Sequence, residues 1–364
     1  MIPVADLAYL HREQSAELEA AALRVLRSGF YLRGPETEAF EHDFADRVAA
    51  PGAVAVGSGL DALCYSLVAL GIGPGDEVIA PAHTAIATWL AITHTGARVV
   101  PVDPDERTML LDAESARAAI GPRTAAIVVV HLYGLVADTD PLLELAREHG
   151  LAVIEDAAQA FGACEGERPV GSLGDVAAFS LYPTKNLGAA GDGGVVVATD
   201  TALLERVRML GNYGERQRRH SELLGHNSRL DELQAAMLRV KLRAIDRFNA
   251  ARRARAASHL EALSGVPGIE LPEPRPGTLP VWHQFVVRVD RRDAVREALQ
   301  ARGVETLVHY PEPPHRSQAY AGLVDQSLPI TDRLARRVLS LPAGPHVDDR
   351  AGELVCAALG EAVR

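Results

Sequence analysis

The chain has 364 residues, of which 48% are hydrophobic and 23% charged, a balance typical of folded globular proteins. Its formal charge of −11 at pH 7 excludes a general binder of nucleic acids or anionic membranes, because their phosphates would repel it. No apolar run approaches the roughly 20 residues that span a bilayer, and the N-terminus lacks a basic segment followed by an apolar core. We therefore expect a cytoplasmic protein without a nucleic-acid or membrane partner.

The first fifty residues predict two amphipathic helices from the spacing of their apolar side chains. After them, short β-branched runs alternate with helical stretches. The predicted strands cover residues 53–56, 77–82, 98–103, 125–131, 151–156, 176–181 and 193–199. Continuous apolar strands between helices predict an α/β fold with a mostly parallel sheet covered on both faces, and an antiparallel pair among the last strands.

The last third of the chain begins with a long predicted helix over residues 230–263 and a segment rich in Pro and Gly over 265–280. Beyond this segment we predict a small α+β unit. Its predicted elements are strands at 282–289 and 305–310 and helices at 291–302, 331–339 and 350–363. We expect a large domain over residues 1–245 and a small C-terminal domain over 246–364.

Lys185 is the first candidate for covalent chemistry. Among 37 Lys and Arg residues, only Lys185 and Lys241 are lysines. Arginine can replace lysine as a charge but not as an amine that forms a Schiff base. Because Lys185 follows a short apolar run and a Pro-containing turn, it is expected on a loop at the end of a buried strand.

A glycine-rich turn, Gly57-Ser58-Gly59-Leu60-Asp61-Ala62, lies between a predicted strand and a predicted helix. Backbone N–H groups at a helix N-terminus bind phosphate. The spacing also fits the dinucleotide fingerprint, with Asp76 in the position of the ribose-binding acid. A nicotinamide-dependent oxidoreductase is therefore one alternative.

Asp156 ends the predicted strand 151–156, where ligands of open α/β sheets bind. Its neighbour Glu155 should point to the opposite face of the sheet. A buried Asp needs a cationic partner, and the protonated ring nitrogen of pyridoxal phosphate (PLP) is such a group. Together the phosphate-binding turn, Asp156 and Lys185 match the phosphate, ring nitrogen and aldehyde of PLP. No metal is predicted, since the Cys and His residues lack ligand spacing.

Several segments in chain order resemble the DegT/StrS type of nucleotide-sugar aminotransferases. They include VGSGLDAL, GDEVIAPAHTAIAT, VHLYG, VIEDAAQAFG, GDVAAFSLYPTKNLGAAGDGG, GHNSRLDELQAA and TLVHYPEPPH. The resemblance covers roughly residues 29–320. It implies the fold of type I PLP enzymes: a large domain with a seven-stranded, mostly parallel sheet, a smaller C-terminal α+β domain, and a homodimer with shared active sites.

The resemblance also implies roles for individual residues. Lys185 is expected to form the Schiff base, Asp156 to pair with the pyridine nitrogen, and Gln159 to lie against the ring or its hydroxyl group. Asn227 is expected to reach the phosphate of the neighbouring subunit. The other implied cofactor-binding positions are Gly59, Leu60, Ser180, His83 and Ala85, and the implied substrate-binding positions are Arg229, His309, Tyr310, His315 and Tyr182.

The implied reaction moves an amino group from L-glutamate, through PLP and its pyridoxamine form, to a nucleotide-linked keto-deoxysugar. The pattern H-Y-P-x-P-x-H, residues 309–315, favours a dTDP-linked 3-keto-6-deoxyhexose. Alternatives with the same cofactor are a keto-cyclitol aminotransferase and a sugar dehydratase. An alternative of another class is a PLP-binding regulatory protein without turnover.

The chain departs from the family pattern at a few positions. Leu60 stands where relatives often have threonine, so the phosphate site would lose a hydroxyl group. Ala85 stands where an aromatic ring commonly stacks on the cofactor, which leaves His83 and Trp89 as candidates for that contact. Phe161 replaces a frequent histidine and His226 a frequent aromatic residue, from which we expect a changed sugar pocket.

Overall fold

The computed structural model describes residues 1–364, with twelve α-helices and fifteen β-strands. The helices are α1 Leu7–Arg12, α2 Ser15–Ser28, α3 Pro35–Arg47, α4 Gly59–Ala69, α5 Ile86–His94, α6 Ala113–Ala118, α7 Thr139–His149, α8 Thr201–Leu210, α9 Glu232–Leu263, α10 Arg292–Ala301, α11 Pro329–Arg337 and α12 Asp349–Ala362. The strands are β1 Ala53–Val56, β2 Glu77–Pro81, β3 Arg98–Val102, β4 Thr124–Val130, β5 Ala152–Asp156, β6 Cys164–Glu165, β7 Arg168–Pro169, β8 Val176–Ser180, β9 Gly194–Ala198, β10 Glu215–Gln217, β11 His220–Ser221, β12 Ile269–Glu270, β13 Thr278–Leu279, β14 Phe285–Val289 and β15 Val338–Leu341. No helix combines the length and apolar character needed to cross a membrane.

Seven strands form one sheet in the order β1-β9-β8-β5-β4-β2-β3. Strands β2, β3, β4, β5 and β8 pair in parallel, whereas β9 runs antiparallel to both β8 and β1. The prediction of a mostly parallel seven-stranded sheet with an antiparallel pair is therefore confirmed. Most residues of these strands are buried, as expected when helices cover both faces.

The neighbouring parallel strands β4, β5 and β8 all end at one edge of this sheet. Strand β5 ends at Asp156, and β8 ends at Ser180, five residues before Lys185. On β5 the side chains of Glu155 and Asp156 have different partners, as the alternation of a strand requires. Glu155 contacts His131 at 3.1 Å and accepts backbone hydrogen bonds from the turn that precedes β8.

Helix α9 is 32 residues long and packs against α2, α3 and α12. The Glu232 carboxylate at its first turn accepts hydrogen bonds from the backbone N–H groups of Gly34, Glu36 and Thr37, at the start of α3. These bonds satisfy donors that a helix N-terminus leaves free. The proposed domain boundary after residue 245 falls inside α9, and the division into two domains stays a prediction.

The C-terminal part contains the sheet β12-β14-β15 and differs from the sequence prediction in two places. No strand covers 305–310; only isolated bridges join Val304 to Ile2 and Leu307 to Ser340. The residues that pair with β14 are instead those of β15, Val338–Leu341, part of which was predicted as the end of a helix. The apolar pattern predicted the wrong element here because a short apolar run fits either a helix or a strand.

Strand β14 begins at Phe285, so the prediction of a strand from residue 282 was too long. Trp282 is buried at 5% exposure but has φ +47, a left-handed conformation outside the strand. Residues 281–284 thus form an irregular segment before β14.

Two core clusters cover the large sheet. The larger contains 65 buried residues and continues from the sheet into the C-terminal part. The smaller contains 26 residues and includes Phe44, Phe161 and Phe179, whose rings contact one another. The expectation that Phe161 changes the sugar pocket is wrong, because this side chain belongs to the core.

Candidate active site

A cavity of about 350 Å³ opens at the edge of the sheet where β8 ends. Seven of the residues that were predicted for the site line it. The full wall consists of Ser58, Gly59, Leu60, Ser180, Tyr182, Thr184, Lys185, Asp192, Gly193, His283, Gln284, His309 and Tyr310. The fold therefore brings the glycine-rich turn, the end of β8 and the C-terminal part to one place.

Lys185 lies in a tight turn after β8, where its backbone N–H donates to the Tyr182 carbonyl at 2.8 Å. Its side chain is half-buried and lines the cavity. Burial lowers the pKa of the Lys185 amine to about 8, although the charge of Asp156 acts in the opposite direction. About a tenth of this amine would be neutral at pH 7, far more than for an exposed lysine, and the neutral form is the one that attacks an aldehyde.

Asp156 is 5% exposed. Its Oδ2 accepts a hydrogen bond from Thr88 Oγ1 at 2.8 Å, and its Oδ1 accepts one from the Ala158 N–H at 3.2 Å. Burial raises the pKa of this carboxyl group, whereas the two hydrogen bonds and the charge of Lys185 lower it. A carboxylate held this deeply is suited to a cationic partner brought in by a ligand.

The glycine-rich turn starts helix α4 and forms one end of the cavity. Ser58 caps the helix by accepting the Asp61 N–H at 3.1 Å. A Cβ on Gly59 would lie 2.6 Å from the Cβ of Ser180, so only glycine lets the turn approach the end of β8. The free N–H groups of this first turn and the Ser180 hydroxyl together form a cradle for an anion.

Gln159 lies at the centre of a hydrogen-bond network beside the cavity. Its Oε1 accepts the Tyr133 N–H at 2.7 Å, and its Nε2 donates to the Tyr310 hydroxyl at 3.0 Å. The Tyr133 hydroxyl donates to the His309 carbonyl and lies 2.8 Å from His83 Nε2. The network joins the sheet edge to the C-terminal segment that carries His309 and Tyr310.

The three predicted substrate residues in the cavity differ in exposure. Tyr182 is 53% exposed at the rim, whereas His309 and Tyr310 are only partly accessible. Burial lowers the pKa of His309 to about 4, with a further contribution from Lys185, and raises the pKa of Tyr310 to about 12. Both side chains are therefore neutral near pH 7 and offer hydrogen bonds rather than charge.

Other predicted residues lie outside the cavity. Asn227 is exposed, and its backbone bridges to that of Asn212. Arg229 lines a separate polar cavity of about 340 Å³, where its guanidinium lies 3.3 Å from Asn212 Oδ1. His315 lies 3.0 Å from Asp332 Oδ1. Within one chain, these three side chains do not line the wall around Lys185.

The residues considered for stacking on the cofactor lie in different surroundings. Ala85 is half-buried immediately before α5. His83 is 2% exposed and belongs to the network of Tyr133. Trp89 is fully buried and donates to the Pro81 carbonyl at 3.0 Å, so it is a core residue and not a candidate for the stacking contact. His226, the other departure, stacks on Tyr65 at 5.7 Å.

Sequence reasoning missed several residues that build the site. Tyr133 lies in the segment VHLYG that carries the resemblance, but no role follows for it from that segment, and His283 has no spacing that marks a function. Ser228 accepts the Gly57 N–H at 2.8 Å and donates to Asp61 at 2.7 Å, which fixes the glycine-rich turn. Its position beside Asn227, in the motif N-S-R-L-D-E, was the one available signal. Asp76 accepts the Gly73 N–H at 2.9 Å and so completes a local turn.

The donor set fits PLP. The Gly59–Ser180 approach leaves a cradle that a single Cβ would fill, Asp156 is buried with only the nearby charge of Lys185 to balance its own, and Lys185 lines the same cavity as the cradle. These groups match a phosphate, a pyridinium nitrogen and an aldehyde.

Comparison with known proteins yields the same assignment. The model of the DegT/DnrJ/EryC1/StrS aminotransferase family matches residues 12–360. The chain is 54% identical over 349 residues to dTDP-3-amino-3,4,6-trideoxy-alpha-D-glucose transaminase of Streptomyces venezuelae, which covers 95% of this chain and 92% of that protein. It is 52% identical over 360 residues to the erythromycin biosynthesis sensory transduction protein EryC1 of Saccharopolyspora erythraea, covering 98% of both.

Among solved structures, the chain is similar to S. venezuelae DesV in complex with a ketimine intermediate. The two superpose with a TM-score of 0.98 at 53% identity, over 100% of this chain and 99% of that one. The type I fold predicted from the sequence is confirmed.

Proposed function

The chain belongs to the DegT/DnrJ/EryC1/StrS aminotransferase family, and we propose that it transfers the amino group of L-glutamate to the ketone of a dTDP-linked 3-keto-deoxyhexose. The family uses PLP. The observation that carries the proposal is the position of Lys185, whose amine has a lowered pKa and shares one cavity with the phosphate cradle and the C-terminal segment. The 3-keto sugar is chosen because the transaminase of S. venezuelae is named for a 3-amino product.

Bound PLP supplies an aldehyde that carries the amino group and a ring that accepts the electron pair released when a C–H proton leaves. Lys185 would hold the aldehyde at rest and, once released, would move the proton at Nζ in both halves of the reaction. The backbone of Gly59 and Leu60 and the Ser180 hydroxyl would hold the phosphate. Leu60 offers only its backbone N–H, since its side chain has no hydroxyl group.

Asp156 would keep the proton on the ring nitrogen, and Gln159 would lie against the ring. Because Asp156 Oδ2 and Oδ1 already bind Thr88 and Ala158, its carboxylate is fixed in orientation before the cofactor arrives. A fixed carboxylate needs no rearrangement when charge develops during the reaction.

We assign Tyr182, His309 and Tyr310 to the sugar side of the cavity. Tyr182 supplies an exposed ring at the entrance, while the neutral His309 and Tyr310 supply hydrogen bonds deeper inside. Overall, L-glutamate and the keto sugar give 2-oxoglutarate and the amino sugar, so atoms and charge balance without another reactant.

The absorption spectrum of the PLP-loaded protein, before and after L-glutamate and then a dTDP-linked 3-keto sugar, tests the proposal. We expect glutamate to change the visible band and release 2-oxoglutarate, and the sugar to restore the band while the amino sugar forms. A panel of other keto sugars and keto-cyclitols tests the acceptor. A protein that binds PLP but releases no 2-oxo acid from any donor would be the regulatory alternative.

We also propose a homodimer in which Asn227 and Arg229 of one subunit complete the site of the other. The support is that both lie outside the cavity of their own chain, with Asn227 exposed. Mixed dimers of Lys185→Ala and Asn227→Ala chains should regain one intact site and part of the activity. Mixtures without any activity would contradict sharing.

A further inference from the structure

His283 is a buried polar residue in the cavity for which the reaction described above has no use. It is 7% exposed and lines the same wall as Lys185 and His309. Its Nδ1 is buried and has no hydrogen-bond partner. Buried polar atoms are nearly always paired, so an unpaired one on a residue that lines a cavity calls for an explanation, and a missing ligand group is one.

The backbone around His283 is held in place. The Val281 N–H donates to the Gly134 carbonyl at 3.0 Å, and the Gln284 N–H donates to the Tyr133 carbonyl at 3.2 Å. A Cβ on Gly134 would lie 2.7 Å from the backbone nitrogen of His283. The chain at Gly134 and the chain at His283 therefore approach as closely as glycine permits. The backbone that carries this imidazole is therefore fixed beside the cavity that His283 lines.

The charge of this imidazole limits its possible ligands. Burial lowers the pKa of His283 well below its ordinary value, and the charges of Lys185, Arg252 and His309 lower it further. A neutral imidazole offers one N–H donor and one nitrogen acceptor. A hydroxyl group both donates and accepts, whereas the carboxylates of glutamate bind best to cations.

We propose that His283 positions the acceptor sugar by a hydrogen bond to the hydroxyl group at C2, beside the carbon that receives the amine. This inference rests on the proposed function. A 3-amino-3,4,6-trideoxy sugar has lost its other ring hydroxyls, so the C2 hydroxyl is the polar group left next to the reacting carbon. A single neutral hydrogen bond there would fix which face of the ring meets Lys185 without adding charge.

The test uses the stable amino sugar, dTDP-3-amino-3,4,6-trideoxyglucose, and its 2-deoxy analogue in the reverse half-reaction. We expect the PLP-loaded native enzyme to lose roughly tenfold in kcat/KM and in the binding affinity of the sugar when the hydroxyl is absent. His283→Phe should react with both sugars at the same lowered rate. His283→Asn, which keeps a donor and an acceptor, should recover part of the preference. Calorimetric titration measures the affinities independently of turnover.

The half-reaction with L-glutamate is the internal control, since glutamate has no C2 hydroxyl to bind. Its rate should change less than twofold in both variants. The inference is overturned if the native enzyme does not discriminate between the two sugars, if His283→Phe keeps the discrimination, or if the glutamate half-reaction falls by the same factor. A native enzyme that turns over no amino sugar would instead contradict the proposed function.

Discussion

The cavity around Lys185 has two walls that are built differently. The sheet wall consists of the end of β8, the loop that follows it and the turn before α4, and carries Ser180 and Lys185. Asp156 is buried behind this wall, at the end of the neighbouring strand β5. The C-terminal wall consists of the irregular segments 281–284 and 307–310, and carries His283, His309 and Tyr310. Backbone ladders fix the strands of the first wall, whereas the second is held by isolated backbone bonds and by side-chain bonds that involve Tyr133, Gln159 and Ser340.

This difference in construction suits the two walls to different roles, the sheet wall to holding the cofactor and the C-terminal wall to recognising the sugar. Residues on a hydrogen-bonded sheet keep their geometry when neighbouring side chains change, which suits the groups that hold a cofactor. Segments held by a few isolated hydrogen bonds, some of them from side chains, can be altered one bond at a time, which suits recognition of different sugars. Variants in the sheet wall should therefore affect both half-reactions, and variants in the C-terminal wall mainly the one with the sugar.

The largest effect is expected for Lys185→Arg. Arginine keeps the positive charge, but its guanidinium neither forms the imine nor transfers the proton at neutral pH, so turnover should fall on the order of 10³-fold or more in both half-reactions. Rates of 2-oxoglutarate release and thermal unfolding of the variant provide the measurement and the folding control. A folded variant with a tenth of the native activity would remove Lys185 from its assigned role.

Asp156→Asn should have the next largest effect. The amide keeps the shape of the side chain but not the charge that holds the ring proton, and loss of one preorganised electrostatic partner costs on the order of 10²- to 10³-fold in rate. Stopped-flow absorbance should show both half-reactions slowed alike. If only the sugar half-reaction slowed, Asp156 would belong functionally to the C-terminal wall.

Glu155→Gln is the matched control for Asp156→Asn, because the two residues are neighbours on β5 and have different partners. Glu155 lies 3.1 Å from His131 and accepts backbone bonds from residues 171, 173 and 174, none of which lines the cavity. Its pKa is lowered despite burial, with His131 the main opposing influence. We expect this variant to lose stability, by several kcal/mol for a broken buried pair, while kcat changes less.

A smaller effect is expected in the C-terminal wall for Tyr133→Phe. The variant keeps the ring but loses the hydroxyl bonds to the His309 carbonyl and His83. A freer segment 307–310 should raise KM for the sugar roughly tenfold, with the glutamate half-reaction nearly unchanged. The control is Tyr320→Phe, which removes another buried hydroxyl, bonded to Thr93 at 3.0 Å. Equal losses in the two variants would indicate a general packing effect.

The two walls also differ in how far the sequence predicted them. Asp156 and Lys185 were placed at strand ends because apolar runs and turn residues mark those ends locally. The sequence predicts the C-terminal wall only in part: a motif identifies His309 and Tyr310, but no pattern assigns a role to His283 or Tyr133, and the strand predicted at 305–310 is absent. Their positions follow from contacts between segments about 150 residues apart, such as the bond from Gln159 to Tyr310, and local patterns carry no trace of such contacts.

Arg229 and His315 show a further limit of predicting site residues from motifs. A motif identifies such residues, but the position of each side chain in one chain is decided by local partners, here Asn212 and Asp332. Glu232 gives a second example, because it belongs to the motif N-S-R-L-D-E but caps α3 and does not line the cavity. Motif membership therefore does not separate residues that hold the fold from those that meet the substrate.

The smallest expected effect concerns the stability of the protein without PLP as a function of pH. The pKa of Lys185 is about 8 in the folded chain and near 10.5 when exposed on unfolding. Between these values the unfolded state binds more protons than the folded one, so the free energy of unfolding should rise with pH, by at most about 1 kcal/mol per pH unit. Urea unfolding from about pH 7.5 to about 9.5 should show this rise in the native chain relative to Lys185→Met. Parallel curves would mean that the amine is fully hydrated in the folded chain without PLP. Any lowering of the Lys185 pKa would then have to come from the bound cofactor and not from burial at the end of β8.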